Sequence, residues 1–273
     1  MDPRVKLILM KFRIINLERD KKKYDRAHSI CSAINLDYKI IKAVDGNDLN
    51  EKYIQELSCN TYRFGLTKTL NRGEIGLYMS HCSVLKEFLL SDDDYICVLE
   101  DDFYFHTHFL ISIFELENAI NTLNFDFILL GHYLLRKDKG VLGSNFLSQK
   151  FSTFKLQIPL EVSFGTHAYI VSRSGAEKFI SLFSVPIVPI DHVIGCCETF
   201  GFIRLIVNKP IVYQSLDFKS TIQNGEFKKN NIFLYHIKKN LKRVIYFLNP
   251  GYAKNKLLKF SYNGPNRILT NNF

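Results

Sequence analysis

The segment VLEDDF at 98–103 sets three carboxylates, Glu100, Asp101 and Asp102, at the end of an otherwise apolar run. If the strand continued through them, Glu100 and Asp102 would face one side and Asp101 the other. Carboxylates this close repel one another unless a cation lies between them. Mn²⁺ or Mg²⁺ suits such oxygen ligands and also takes diphosphate oxygens. The competing reading is an acidic turn that caps a buried strand. Asp45-Gly46 follows a second apolar run. Its carboxylate is able to accept from a ribose hydroxyl, or it simply makes a turn. Asn16 closes the run KFRIIN, where an amide either reads a base edge or bonds backbone. Ser80-His81 falls inside a long apolar stretch, and a lone His there is more often a satisfied core residue than a catalyst. Asp191, two residues after Pro189, has an N-cap as its competing role. GxSxG, P-loop and GxGxxG patterns are absent from the sequence, and no His/Cys spacing matches a zinc site. Hydrolase, NTPase and dehydrogenase readings therefore lose their usual support.

These residues need elements to hold them. KFRIINL (11–17) reads as a first strand, and Tyr24, Ala27, Ile30, Cys31 and Ile34 have helical spacing. YKIIKAV (38–44) reads as a strand, 50–59 and 73–90 as helices, and YICVLEDD (95–102) as a strand. A helix over 108–123, a strand over 126–133, a strand over 167–172 and a helix over 174–183 follow. Residues 185–191 read as a proline-punctuated loop with Asp191 opening a short helix, and 202–208 as a late strand. Strands alternating with helices predict an α/β fold with a largely parallel sheet. In such sheets ligands collect at the C-terminal strand ends, where the acidic cluster lies.

The chain has 273 residues, 23% charged and 47% apolar, the composition of an ordinary folded protein. Six scattered cysteines are too few to organise it as a disulfide scaffold. They read as small core residues in a reducing compartment. No apolar run reaches the ~18–20 residues of a membrane span, and the N-terminus does not read as a secretory signal. The net charge of +9 is uneven: residues 227–273 contain ten Lys or Arg and no Asp or Glu. Basic residues beside Phe, Tyr and Leu in IFLYHIKKNLKRVIYFL (232–248) suit an interfacial helix on an anionic membrane. A solvated or packed basic helix is the alternative. The expected organisation is one domain over 1–226, with 1–9 as an extension, and a basic helical appendage over 227–273.

In this order, INLERDKKK (15–23), AVDG (43–46), LNRGEIGLYMSHCSVLKEF (70–88), VLEDDF (98–103), HAYIVSRSGAEKFI (167–180), VPID (188–191) and, more weakly, QSLDFKSTI (214–222) resemble glycosyltransferase family 25, the lipooligosaccharide biosynthesis glycosyltransferases. The resemblance covers about residues 10–225. It implies a GT-A type fold and transfer of a hexose, most often galactose, from a UDP-sugar onto a lipooligosaccharide acceptor with inversion at the anomeric carbon. LEDD then stands for the DxD motif of related enzymes: Asp102, with Glu100, would bind Mn²⁺ or Mg²⁺, and Glu100 or Asp101 would contact ribose or donor sugar. Asn16 and Arg19 fall in the nucleotide segment, Asp45 and Gly46 in the DG turn, and Glu74, Ser80 and His81 in the GEIG–SH segment. The main departure is Ile190, where the family has Val.

On that reading the acceptor hydroxyl needs a general base, and Asp191 is the choice, with Glu161 and Asp217 as alternatives. The location expected is cytoplasmic, peripheral on the inner face of the cytoplasmic membrane. The rivals are a UDP-glucose-dependent transferase of the same pathway, a catalytically dead glycan-binding homologue, and a nucleic-acid binder using the basic tail. No nucleic-acid-binding module supports the last of these.

Overall fold

The structure is a computed structural model that describes residues 8–62, 70–132, 143–159, 163–186, 188–195 and 197–215. KFRIIN forms β1 (Lys11–Asn16). Asp20 then caps α1 (Lys21–Ala33) by accepting from the Lys23 amide, and β2 (Asp37–Lys42) returns parallel to β1. A 3-10 turn at Gly46–Asp48 leads to α2 (Glu51–Tyr62). A capping box between Asn71 and Glu74 starts α3 (Arg72–Leu89). β3 (Tyr95–Glu100), β4 (Phe103–Phe105), α4 (Phe109–Ile120) and β5 (Phe127–Leu129) follow. A hairpin of β6 (Gly143–Lys150) and β7 (Lys155–Pro159) comes next. β8 (Ala168–Ser172), α5 (Arg173–Phe183), α6 (Ile190–Gly195), β9 (Arg204–Val207) and β10 (Val212–Gln214) complete the described elements.

Eight strands make one sheet in the order β2-β1-β3-β8-β5-β9-β7-β6, and β10 pairs with β4 in a second sheet. Six of the eight strands point one way, as the alternating pattern predicts. β8 and β7 run against their neighbours, so the sheet is mixed. The central strands are largely apolar because both faces are covered. On one face Phe12, Ile14, Cys97, Leu99, Ala168 and Ile170 pack with Ala27 and Cys31 of α1 and Phe109, Ile113 and Leu116 of α4. On the other, Ile96, Val98, Tyr169 and Val171 pack with Tyr78, Leu85 and Phe88 of α3 and Phe179 of α5. Cys31, Cys82, Cys97 and Cys197 are buried free thiols. Burial pushes Cys31 and Cys82 up to about 12, which makes them inert core residues.

Two expectations change here. β3 ends at Glu100, and Asp101 and Asp102 form a turn into β4, so strand alternation does not govern them. The β6–β7 hairpin and β10 are additional elements. Residues 227–273, and Glu161 and Asp217 with them, lie outside the described residues.

Candidate active site

Register places Asn16 of β1, Lys42 of β2 and Glu100 of β3 at one end of the sheet. It is the C-terminal end of these three parallel strands, where open α/β sheets bind ligands. An open cleft lies there. Arg19, Lys23, Asp45, Gly46, Ser80, Glu100, Asp101, Asp102 and Gln214 are among its lining residues.

One wall is the loop after β2. Its close fit to α3 depends on two glycines. A Cβ on Gly46 would stand 1.8 Å from the Arg72 carbonyl oxygen, and one on Gly76 would stand 2.7 Å from Gly46 N and Val44 O. Ser80 Oγ donates to Gly76 O at 2.7 Å and accepts from Val44 N at 2.8 Å, tying loop to helix. Asp45 caps the 3-10 turn through the Asn47 amide and pairs with Arg19, which lines the same cleft. Asp45, Gly46, Arg19 and Ser80 thus all border the cleft, with the Ser80 hydroxyl engaged by Gly76 and Val44.

The floor is the acidic turn. Glu100 Oε1 accepts from Thr166 Oγ1 at 2.5 Å. His81 Nε2 faces the same oxygen from 3.6 Å, and His81 Nδ1 shares a 2.9 Å hydrogen bond with Tyr169 OH. Burial alone would raise the Glu100 pKa. His81, the Thr166 hydroxyl and His167 outweigh it and hold the carboxyl below its usual range. His81 is fully buried and stacks on Tyr169. It supports Glu100 from behind and is not among the lining residues.

Asp101 lines the cleft, but both of its carboxylate oxygens are engaged within the protein. Its Oδ1 pairs with Lys23 Nζ at 2.9 Å, and its Oδ2 accepts from Asn16 Nδ2 at 2.8 Å. Asn16 thus spends its amide on Asp101 and, at 3.4 Å, on the Asp20 carbonyl. It does not line the cleft. Lys23 is buried and also lies 3.9 Å from Asp102 Oδ2. Asp101 and Asp102 therefore share one cation, where strand alternation would have separated them. Burial lowers the Lys23 pKa, but Asp101, Asp102 and Asp20 outweigh it and the net shift is upward.

Asp102 Oδ2 accepts from Gln214 Nε2 at 2.8 Å, while its buried Oδ1 has no hydrogen-bond partner. Burial first, and the Glu100 charge second, push its pKa up to about 6. A carboxylate so placed lacks positive charge on one oxygen, and this donor fits a hard divalent cation. No group of three or more His, Cys, Asp or Glu among the described residues could hold a metal ion. A metal at Asp102 would therefore take most of its ligands from substrate oxygens and water, as Mg²⁺ sites on phosphates commonly do.

Asp191 opens α6 in its first turn, where its Oδ1 accepts from the His192 amide at 2.9 Å. Burial, and then the charges of Glu100 and Glu74, raise its pKa; Asp191 is not among the residues lining the cleft. Arg204 holds α6 in place: it pairs with Glu198 at 2.5 Å and donates to the Gly195 carbonyl at 2.6 Å and to Ser163 Oγ at 2.9 Å. Lys23, Gln214 and Thr166 were missed as site residues. Lys23 lay in a basic run that reads as solvated surface, and Gln214 reaches Asp102 only through the β4–β10 pairing.

A family model described as "Glycosyltransferase family 25 (LPS biosynthesis protein)" matches residues 10–194. Procollagen galactosyltransferase 2 of Homo sapiens is 28% identical over 218 residues, covering 76% of this chain and 33% of its own length. A glycosyltransferase 25 family member of Aedes aegypti is 25% identical over 203 residues, covering 70% and 31%. The chain spans about a third of the length of these curated relatives. Among solved structures, the inositol-1-phosphate CTP transferase of T. maritima aligns with a TM-score of 0.44 at 12% identity, covering 79% of this chain and 94% of that one. With the family's model matched over residues 10–194, the chain belongs to glycosyltransferase family 25.

Proposed function

We propose that this glycosyltransferase has a GT-A type core that binds UDP-galactose in the cleft and transfers the hexose, with inversion, onto a lipooligosaccharide acceptor. The observation that carries this is the buried, unpartnered Oδ1 of Asp102 at the strand-end cleft, in a family of sugar transferases. Asp45 accepts from a ribose hydroxyl at the loop wall, with Arg19 beside it to face the diphosphate. Glu100, oriented by Thr166 and His81, receives a donor hydroxyl. Asp102, with Glu100 beside it, would hold Mn²⁺ or Mg²⁺. When bound, that ion supplies Lewis-acid neutralisation of charge on the departing diphosphate. Asp191, half-buried and with a raised pKa, takes the proton of the acceptor hydroxyl. Such a base contributes ~10²–10⁴ in rate.

The test is a transfer and hydrolysis panel of UDP-galactose and UDP-glucose, with and without EDTA. Galactose transfer that EDTA abolishes supports the proposal, and glucose-only or EDTA-insensitive transfer contradicts it. Asp191→Asn is expected to keep UDP binding and lose ~10²–10⁴ in kcat; near-normal transfer removes Asp191 as the base. A second acceptor reading is favoured by the relatives named procollagen galactosyltransferases, so procollagen joins lipooligosaccharide as an acceptor in the panel. The cytoplasmic, peripheral placement rests on the charge pattern of 227–273. Equal pelleting with anionic liposomes with and without that segment would defeat it.

A further inference from the structure

The Lys23 ammonium is ion-paired with two carboxylates, and of the two it hydrogen-bonds Asp101. It sits 2.9 Å from Asp101 Oδ1 and 3.9 Å from Asp102 Oδ2. Three things hold it there. The Asp20 cap fixes the first turn of α1, from which Lys23 projects. The Asn16 amide fixes Asp101 through its other oxygen at 2.8 Å. Gln214 occupies the Asp102 oxygen nearer to Lys23 at 2.8 Å. The remaining Asp102 oxygen is left without a partner.

We propose that Asp101 is a latch: by hydrogen-bonding Lys23 it holds the ammonium 3.9 Å from Asp102, in ion-pair range but short of a hydrogen bond, so that the remaining Asp102 oxygen stays available to a divalent cation. Asp101 and Lys23 are then positioning residues that act through Asp102, and the Asp101 carboxylate touches neither nucleotide nor metal. This rests on the reading of Asp102 as the metal-holding residue. The charge pattern explains why both aspartates are needed. A lone Asp102 beside a buried lysine would pair with it and be lost as a ligand, because a buried charge takes the nearest counter-charge. Asp101 satisfies the lysine, and the fixed positive charge in turn offsets the mutual repulsion of Glu100, Asp101 and Asp102.

The test measures Mn²⁺ binding in the presence of UDP, by electron paramagnetic resonance of free Mn²⁺, with thermal melting alongside. Asp101→Asn frees Lys23 to close on Asp102 and is expected to weaken Mn²⁺ binding at least tenfold. Lys23→Met with Asp101→Asn removes the intruding cation together with its latch, and is expected to restore binding to within about threefold of the unmodified protein. Lys23→Met alone is expected to bind Mn²⁺ at least as well as the unmodified protein. A purely structural ion pair predicts the opposite order, with the double variant no better than Asp101→Asn; that result overturns the latch. If Asp101→Asn does not fold, a tenfold loss in Lys23→Met or in the double variant overturns it, and retained binding in both supports it. If the unmodified protein binds no Mn²⁺ with UDP, the metal reading of Asp102 falls and the latch falls with it. That outcome is distinct from one in which the unmodified protein binds and the variants do not follow the order given.

Discussion

Replacing Gly76 with alanine sets two effects of known size against each other. Gly76 lies inside α3, where alanine is ordinarily better than glycine by about 0.8–1.0 kcal/mol. Here the new Cβ would stand 2.7 Å from Gly46 N and from Val44 O. Both are backbone atoms, so no side-chain rotation relieves the contact. The loop must retreat until those distances reach at least the 3.4 Å of ordinary contact. Over-packing of this kind costs about 1–3 kcal/mol, so the net effect is a loss of up to about 2 kcal/mol. The functional effect is larger than the stability effect. Val44, Asp45, Gly46 and Asn47 all line the cleft, and Ser80 anchors Val44 to the same helix. Retreat of the loop moves Asp45 away from Arg19 and opens the nucleotide wall. UDP affinity by calorimetry should fall about tenfold, roughly the 1.4 kcal/mol of one lost good contact, while thermal melting stays level or drops. A melting temperature raised by the ~2–4 °C that helix propensity alone predicts, with UDP affinity unchanged, would refute the reasoning.

Two further predictions follow from buried polar groups away from the cleft. His132 is buried with Nε2 against the Val207 carbonyl at 2.8 Å, and burial pushes its pKa down to about 4. Its stabilising effect is complete above the unfolded value near 6.5 and is lost as pH falls toward 4, because the unfolded chain takes the proton first; the loss is about 3 kcal/mol, and His132→Gln should shrink it in urea melts at pH 7 and pH 4.5. Arg204→Met strands Glu198 and the carbonyl of Gly195, with an expected loss of about 3–5 kcal/mol; adding Glu198→Gln should recover part of it in the same melts, and a loss under 1 kcal/mol would contradict the buried pairing.

The legibility of this chain follows a physical divide. Elements buried on both faces announce themselves: YICVLE and AYIVS are almost entirely apolar, and each is a central strand. The β6–β7 hairpin and β10 carry weaker patterns, since a strand at or near an edge needs fewer apolar residues. At the site, the carboxylates of 100–102 and the Asp45-Gly46 turn were legible as chemistry because acid clusters and turns are local. Which oxygen each carboxylate leaves free was not legible. That depends on Lys23, Asn16, Thr166 and Gln214, which are 66 to 112 residues away from their carboxylates. Strand alternation also failed at Asp101, because β3 stops one residue earlier. The close approach of Gly76 to Gly46 is a contact between a helix and a loop; spacing within GEIG cannot display it.

The whole account turns on where the nucleotide diphosphate lies. A crystal structure with UDP and Mn²⁺ answers this most directly. The expected result is the uracil and ribose along the loop of Asp45, the diphosphate over the turn after β3, and Mn²⁺ coordinated by Asp102 Oδ1. UDP bound elsewhere, or bound in this cleft with Mn²⁺ held by residues other than Asp102, would contradict it.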